Sequence, residues 1–243
     1  MKSFGSYLIF LGTMFVRRET FSSYVKLTIS ECHTIGWNSL IIVAITSTFM
    51  GAVTTVQTAY NLVSPLIQNY VVAQVTREMV VLELAPTITA IVIAGKVGSS
   101  MASGLGTMRI SEQIDALEVM GVNSISYLVL PKIIAAMLMY PMLVVIAGFL
   151  SLYGGYLAGT LTGIITETEY IYGIRVGFNP FTLSFAMIKA VVFAFLISSI
   201  SAYQGYYTTG GALEVGISST SAVTKSVIAV LLADYILAEL LLN

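Results

Sequence analysis

Charge is what this sequence has least of. Of its 243 residues 9% are Asp, Glu, Lys or Arg and 57% are hydrophobic, whereas a soluble domain carries about 25% charged residues. That shortage all but excludes a soluble globular protein, and it excludes intrinsic disorder, which needs high charge and low hydrophobicity. The formal net charge of −1 leaves no basic excess to neutralise phosphates, so nucleic acid is not expected as a partner. The single cysteine, Cys32, precludes an intramolecular disulfide and reads as a small apolar residue. The single histidine, His33, precludes a multi-histidine metal centre and a Ser-His-Asp triad, and no Cys/His cluster offers metal ligands. No GxxxxGK(S/T) run occurs either: Gly95-Lys96 lacks the upstream glycine at the right offset and the hydroxyl residue that should follow. The chain is therefore not expected to be an enzyme.

What is there is apolar length, with a mean hydropathy of +0.90. About 20 apolar residues are needed per crossing, which makes this an all-α integral membrane protein. Hydropathy sets spans at 38–60, 79–102, 181–203 and 222–242, with a longer stretch over 125–165. That stretch holds Pro131, Lys132 and Pro141 near its start and Gly154-Gly155 near its end. It reads as one long tilted span over 132–159, for five crossings, with six as the alternative. The apolar run 4–16 is too short to cross and precedes Arg17, Arg18 and Lys26. It lacks a small-residue cleavage site, so 1–34 is expected to be an interfacial and cytoplasmic segment with an amphipathic helix. With the N-terminus inside, Lys2, Arg17, Arg18, Lys26, Lys96, Arg109, Lys132 and Lys225 lie on the inner side, against Arg77, Arg175 and Lys189 outside. The excess favours a cytoplasmic N-terminus. An odd number of spans then puts the C-terminus outside, with no soluble domain expected at either end.

Residues 106–121 form the most polar stretch of the later chain. On one helix Ile110, Ile114, Leu117 and Gly121 would share a face, with Glu112, Asp115 and Glu118 opposite. An acidic face runs against attraction to anionic lipid and favours a protein partner, a solvated loop helix being the alternative. The glycine-rich connection 203–216 permits tight turns. Small residues recur every four positions at Ala90, Ala94, Gly98, Ala102 and Gly106, and again at Gly155, Gly159 and Gly163. Such stripes let helix backbones approach closely in lipid, within the chain or between subunits. Ionisable residues inside spans mark pathways or packing sites: Glu83, three residues before Pro86, and Asp234 and Glu239. Lys96, toward a span end, can snorkel.

Three blocks together resemble the MlaE (YrbE-like) permeases of ABC lipid transporters that work with MCE proteins. They are Phe49-x-Gly51 with Gln57; Glu83-Leu-Ala-Pro86, Ala94-Gly-Lys-Val-Gly-Ser99 and the run from Gly106 to Leu117; and Lys189-x-Val-Val-Phe193 through Tyr203-x-Gly-Tyr206, Thr208, Gly210-Gly-Ala212, Val215-Gly216 and Thr220 to Asp234. The resemblance implies an N-terminal interfacial helix, about five transmembrane helices and a homodimer in the bacterial inner membrane. It implies that 107–121 is a coupling helix, with Arg109, Glu112, Gln113, Asp115 and Leu117 meeting a cytoplasmic MlaF-like ATPase that carries the ATP and Mg. An MlaD-like MCE-domain protein is implied on the periplasmic side, and an MlaB-like STAS-domain protein is a further candidate partner. Phe49, Gly51, Gln57, Glu83 and Pro86 would lie along the lipid path, while Ala94, Gly98, Ala102, Gly155 and Gly159 would pack helices. The chain departs from the family pattern at Leu82, where Arg is common, leaving Glu83 without an adjacent cation. It also departs at Ala85, Lys96, Gly104 and Asn123-Ser124. Two other readings compete: an ion-coupled carrier or channel using Glu83 and Asp234, and a non-transporting scaffold.

Overall fold

A computed structural model describes residues 2–14, 16, 21–62 and 68–242; Arg17 and Arg18, counted above, lie outside them. Among the described residues the secondary structure is helical, without strands. Helix α1 is Lys2–Thr13. Helix α2 joins Phe21–Cys32 to Asn38–Asn61 through a π-helical turn, His33–Trp37. Helix α3 begins at Tyr70–Met79 and ends at Ser99–Ile110, with π-helical turns at Val80–Ile88 and Ala94–Gly98. Then come α4 (Gln113–Val119), α5 (Ser124–Leu128), α6 (Leu130–Leu161), α7 (Glu167–Arg175), α8 (Pro180–Tyr206) and α9 (Ala212–Leu242).

Five stretches are long and apolar enough to cross a membrane: Ser22–Asn61, Tyr70–Ile110, Ser124–Leu161, Pro180–Tyr206 and Ala212–Leu241. The first two, at 40 and 41 residues, extend about 60 Å at ~1.5 Å per residue, twice the ~30 Å hydrocarbon layer. Their ends therefore run on as helix beyond the apolar layer, where hydropathy gives no signal. Hydroxyl residues inside them bond back along their own helix, as Ser47 Oγ does to Val43 O (2.6 Å) and Thr54 Oγ1 to Met50 O (2.8 Å), which satisfies their polarity in lipid.

The chain divides into two compact units, residues 1–39, 90–140 and 191–243 in the first and 40–89 and 141–190 in the second. In the first, Phe10 of α1 is fully buried against Tyr203, Tyr206 and Tyr207, ring centroids 5.5, 5.6 and 5.8 Å away. Asn123 Nδ2 donates to Thr13 O (3.0 Å) and Val16 O (2.5 Å), pinning the end of α1. The small-residue stripe of α3 meets α8. A Cβ on Gly205 would stand 2.4 Å from Ala102 O, and one on Gly98 2.8 Å from Ser201 Oγ. Ala94 and Ala102 are fully buried, and Ser219 Oγ ties α9 to Ser99 O (3.1 Å). That stripe is consumed inside the chain.

In the second unit Val72, Ala73, Ile165 and Tyr170 form the core, and Thr166 with Glu169 builds a reciprocal cap at the start of α7. Helices α2 and α6 cross at backbone contact. A Cβ on Gly51 would lie 1.7 Å from Ser151 O and one on Gly154 2.1 Å from Thr48 O. Gly155 leaves room for Thr55 and the Tyr170 hydroxyl, and Gly159 for Ile165. Arg77 is buried and donates to Ile174 O (2.8 Å) and Val176 O (2.7 Å), satisfying carbonyls at the end of α7.

Candidate functional site

The second unit holds a buried charge. Lys189 on α8 has no exposed surface, and its Nζ donates to a Glu83 carboxylate oxygen at 2.7 Å and to Leu82 O at 3.0 Å. It also sits 4.7 Å above the centre of the Phe185 ring. An isolated ammonium in an apolar interior is strongly unfavourable, so the carboxylate, the carbonyl and the ring together make this position tenable. Pro86 falls inside the π-helical turn Val80–Ile88, and Lys189 donates to a carbonyl of that same turn. The Glu83 side chain is 47% exposed.

Glu83 therefore has a cation after all. The sequence offered no cation beside Glu83, and Lys189 counted among the outer-side charges. The actual partner is 106 positions away and buried, while the Arg77 guanidinium is spent on α7. No local spacing announces a pairing made across two helices.

Beside this segment, Met50, Val53, Thr54, Gln57, Met79 and Leu84 line a mostly apolar cleft of about 310 Å³. Thr54, Gln57, Thr58 and Asn61 are its polar residues on α2. Phe49 is 69% exposed and continues as an outward apolar stripe with Val53, Val56 and Tyr60. Gly51 and Pro86 are buried, Gly51 in the α2–α6 crossing. Asp234 belongs to the first unit and Glu83 to the second, so the two acids of the carrier reading fall in different units.

In the first unit the expected single helix over 107–121 is two helices meeting at Ser111 and Glu112. The hydroxyls of Thr107 and Ser111 bond back to Ser103 O (2.9 Å) and Thr107 O (2.7 Å). Glu112 then takes a left-handed conformation, φ +60°, rarely adopted by a residue with a side chain. Arg109 bridges the break to Asp115 at 2.5 Å and lies 5.9 Å from the centre of the Tyr206 ring. Ile114 is fully buried and Leu117 half-buried, so both serve as anchors; Glu112, Gln113 and Asp115 are exposed, as are Val119 and Met120. Glu118 accepts from Ser124 Oγ and Tyr206 Oη, each at 2.8 Å. These bonds, Ser124's foremost, hold its carboxyl below the usual range, with help from Arg109. Nothing in the sequence marked Ser124 and Tyr206 as partners of Glu118, since hydroxyls of this kind are common along such a chain.

Residues 28–240 match the permease MlaE family. The chain belongs to the MlaE permease family. It is 39% identical over 217 residues to a protein of Rickettsia bellii described as a probable ABC transporter permease, covering 89% of this chain and 83% of that one. A Synechocystis protein of the same description is 34% identical, over 88% of this chain and 81% of its own. The chloroplastic protein trigalactosyldiacylglycerol 1 of Arabidopsis thaliana is 36% identical over 87% of this chain and 60% of its own. An MlaE-family ABC permease is a transporter's membrane subunit, and that membership makes Glu83–Lys189 and α4 the two places on this permease to examine for function. Among the described residues no group of three His, Cys, Asp or Glu side chains is placed to hold a metal ion.

Proposed function

We propose that this MlaE-family permease moves phospholipid or a related lipid between the bacterial inner membrane and the outer envelope, driven by a separate ATPase. The carrying observation is the Lys189–Glu83 pair, a half-exposed carboxylate held in an apolar span near a cleft of mostly apolar lining. That combination suits an amphiphile, with a polar headgroup near Glu83 and Gln57 and acyl chains against apolar walls. The name of the Arabidopsis relative, which contains that of a galactosylated glycerolipid, fits the same ligand class.

ATP and Mg belong, on this reading, to an MlaF-like ATPase that docks on α4 through Glu112, Gln113 and Asp115, with Val119 and Met120 as apolar contacts. Movement of α4 is passed on because it is tied to α3 through Arg109–Asp115 and to α5 and α8 through Glu118. With five spans and α4 after the second, a cytoplasmic α4 puts the N-terminus in the cytoplasm and the C-terminus in the periplasm. The working form is a homodimer beneath an MlaD-like MCE-domain protein, with an MlaB-like STAS-domain protein on the ATPase side.

Reconstitution with the ATPase and MCE partner tests this. ATP-dependent movement of fluorescent phospholipid should fall at least tenfold in the double charge reversal Glu112→Lys with Asp115→Lys, while the folded dimer persists. Transport intact in that variant, or lipid or ion movement driven by an ion gradient in liposomes holding this chain alone, would overturn the proposal and favour the Glu83 and Asp234 carrier.

A further inference from the structure

The first unit contains another cleft, with charged and polar lining residues and independent of the lipid-path candidates. It is about 140 Å³ in volume and is lined by Glu31, Asn38, Ser39, Lys96, Ser100 and Lys132, among others, several times the room one water needs. Three helices converge on it, and two contribute at irregular points. The π-helical turn His33–Trp37 of α2 leads directly into Asn38 and Ser39, and the turn Ala94–Gly98 of α3 carries Lys96. Such turns recur at functional sites.

Charges and donors in the cleft do not balance internally. Lys132 Nζ is paired with Glu31 Oε1, so one of the two cations is neutralised. Lys96 Nζ donates to the carbonyl of Asn38, a neutral group, and an ammonium has three donors. The lining therefore carries one net positive charge. Ser39 is fully buried, and its hydroxyl has no hydrogen-bond partner among the described residues. A buried hydroxyl left unsatisfied is unfavourable, and this one borders the cleft that Lys96 lines.

We propose that this cleft binds a phosphate group carrying one negative charge, either the phosphodiester of a glycerophospholipid or free inorganic phosphate. Lys96 is its charge partner, the Ser39 hydroxyl donates to one of its oxygens, and Lys132 with Ser100 closes the shell. A tetrahedral anion matches donors arriving from α2, α3 and α6, and its charge cancels the excess.

The test uses the purified, delipidated chain in neutral detergent. Native mass spectrometry counts phosphatidylglycerol molecules retained per chain, with dioleoylglycerol as the phosphate-free comparison and labelled inorganic phosphate as a separate titration. Ser39→Ala should retain one phosphatidylglycerol fewer than the wild type and bind about tenfold more weakly, with an unfolding temperature at or above wild type, because only an unsatisfied hydroxyl is lost. Lys96→Gln should lose the same molecule and Lys96→Arg should keep it. Saturable inorganic phosphate binding that disappears in Ser39→Ala assigns the site to the free ion; its absence alongside the lost phosphatidylglycerol assigns it to a lipid headgroup. Wild-type retention and phosphate binding in Ser39→Ala, or dioleoylglycerol held at the same site as strongly, would overturn the proposal. Neither result bears on coupling through α4, so this inference and the transport reading can fail separately.

Discussion

Lys189 and Glu83 share one ion pair under unequal conditions: the lysine side chain has no exposure and the carboxylate has 47%. Removing one partner of a buried pair costs about 3–5 kcal/mol because the other charge is stranded, but a half-exposed charge can recover solvation. The two single substitutions should therefore differ. Glu83→Leu strands a sealed ammonium and should destabilise by about 3–5 kcal/mol. Lys189→Met leaves a carboxylate that water can reach and should cost about 1–3 kcal/mol. Combining them should recover much of the larger loss, since an apolar pair of similar volume is often no worse than a buried ion pair. Thermal unfolding of the three variants in one detergent measures this cycle, and equal single effects or simple additivity would show that the pair is not coupled as the geometry says.

Helix α4 is seven residues long, too short to hold itself in water, so its order comes from its anchors. Ile114 and Leu117 face the chain while Glu112 and Asp115 are exposed, an arrangement readable from the sequence because apolar residues three apart declare a helix face whatever lies beneath; Glu118, expected on the outer face, is instead bonded to Ser124 and Tyr206. The break at Ser111 and Glu112 was not readable, since a left-handed glutamate replaces the glycine or proline that normally announces a turn. The π-helical turns were equally silent, and the Lys189 partnership depends on a crossing of two helices that no local pattern encodes. Of the anchors, Glu118 is the one that titrates. Its carboxyl is held below the ordinary value of 4.5, first by Ser124 and then by Tyr206. A depressed folded value means the stabilisation is complete above the ordinary value and is lost as pH falls through the depressed one. Amide protection of 113–119, corrected for intrinsic exchange, should hold from pH 7 down to about 5 and fall as the solution is taken below about 4. Glu118→Gln, which keeps an acceptor but not the charge, should flatten that dependence. Protection that declines identically in both proteins would assign the anchoring to Ile114 and Leu117 alone.

The five long helices divide their small and large residues between different tasks. Ala94, Gly98 and Ala102 are spent on α8 and α9 in the first unit, and in the second Gly51 and Gly154 on the α2–α6 crossing and Gly155 and Gly159 on Thr55, Tyr170 and Ile165, which leaves Gly163 alone of the second stripe in open space. What the chain leaves uncovered is large and apolar: Ile41, Ile45, Phe49, Val53 and Tyr60 along α2, at 70%, 54%, 69%, 57% and 80% exposure, and much of α9, whose apolar window is only 17% buried. Lipid can cover either face, but a homodimer that encloses a lipid path needs a face next to that path, and the α2 stripe, through Val53, adjoins the cleft containing Gln57. Single cysteines in a Cys32→Ser background separate the two faces. Phe49→Cys and Tyr60→Cys should give oxidised dimers in native membranes, Ala102→Cys should give none because that position is sealed inside the chain, and Tyr235→Cys on α9 should react with lipid-soluble reagents without cross-linking. Cross-links from Tyr235→Cys with none from Phe49→Cys would put the subunit contact on α9 and leave the α2 stripe to the bilayer, detaching the cleft from any dimer-enclosed path.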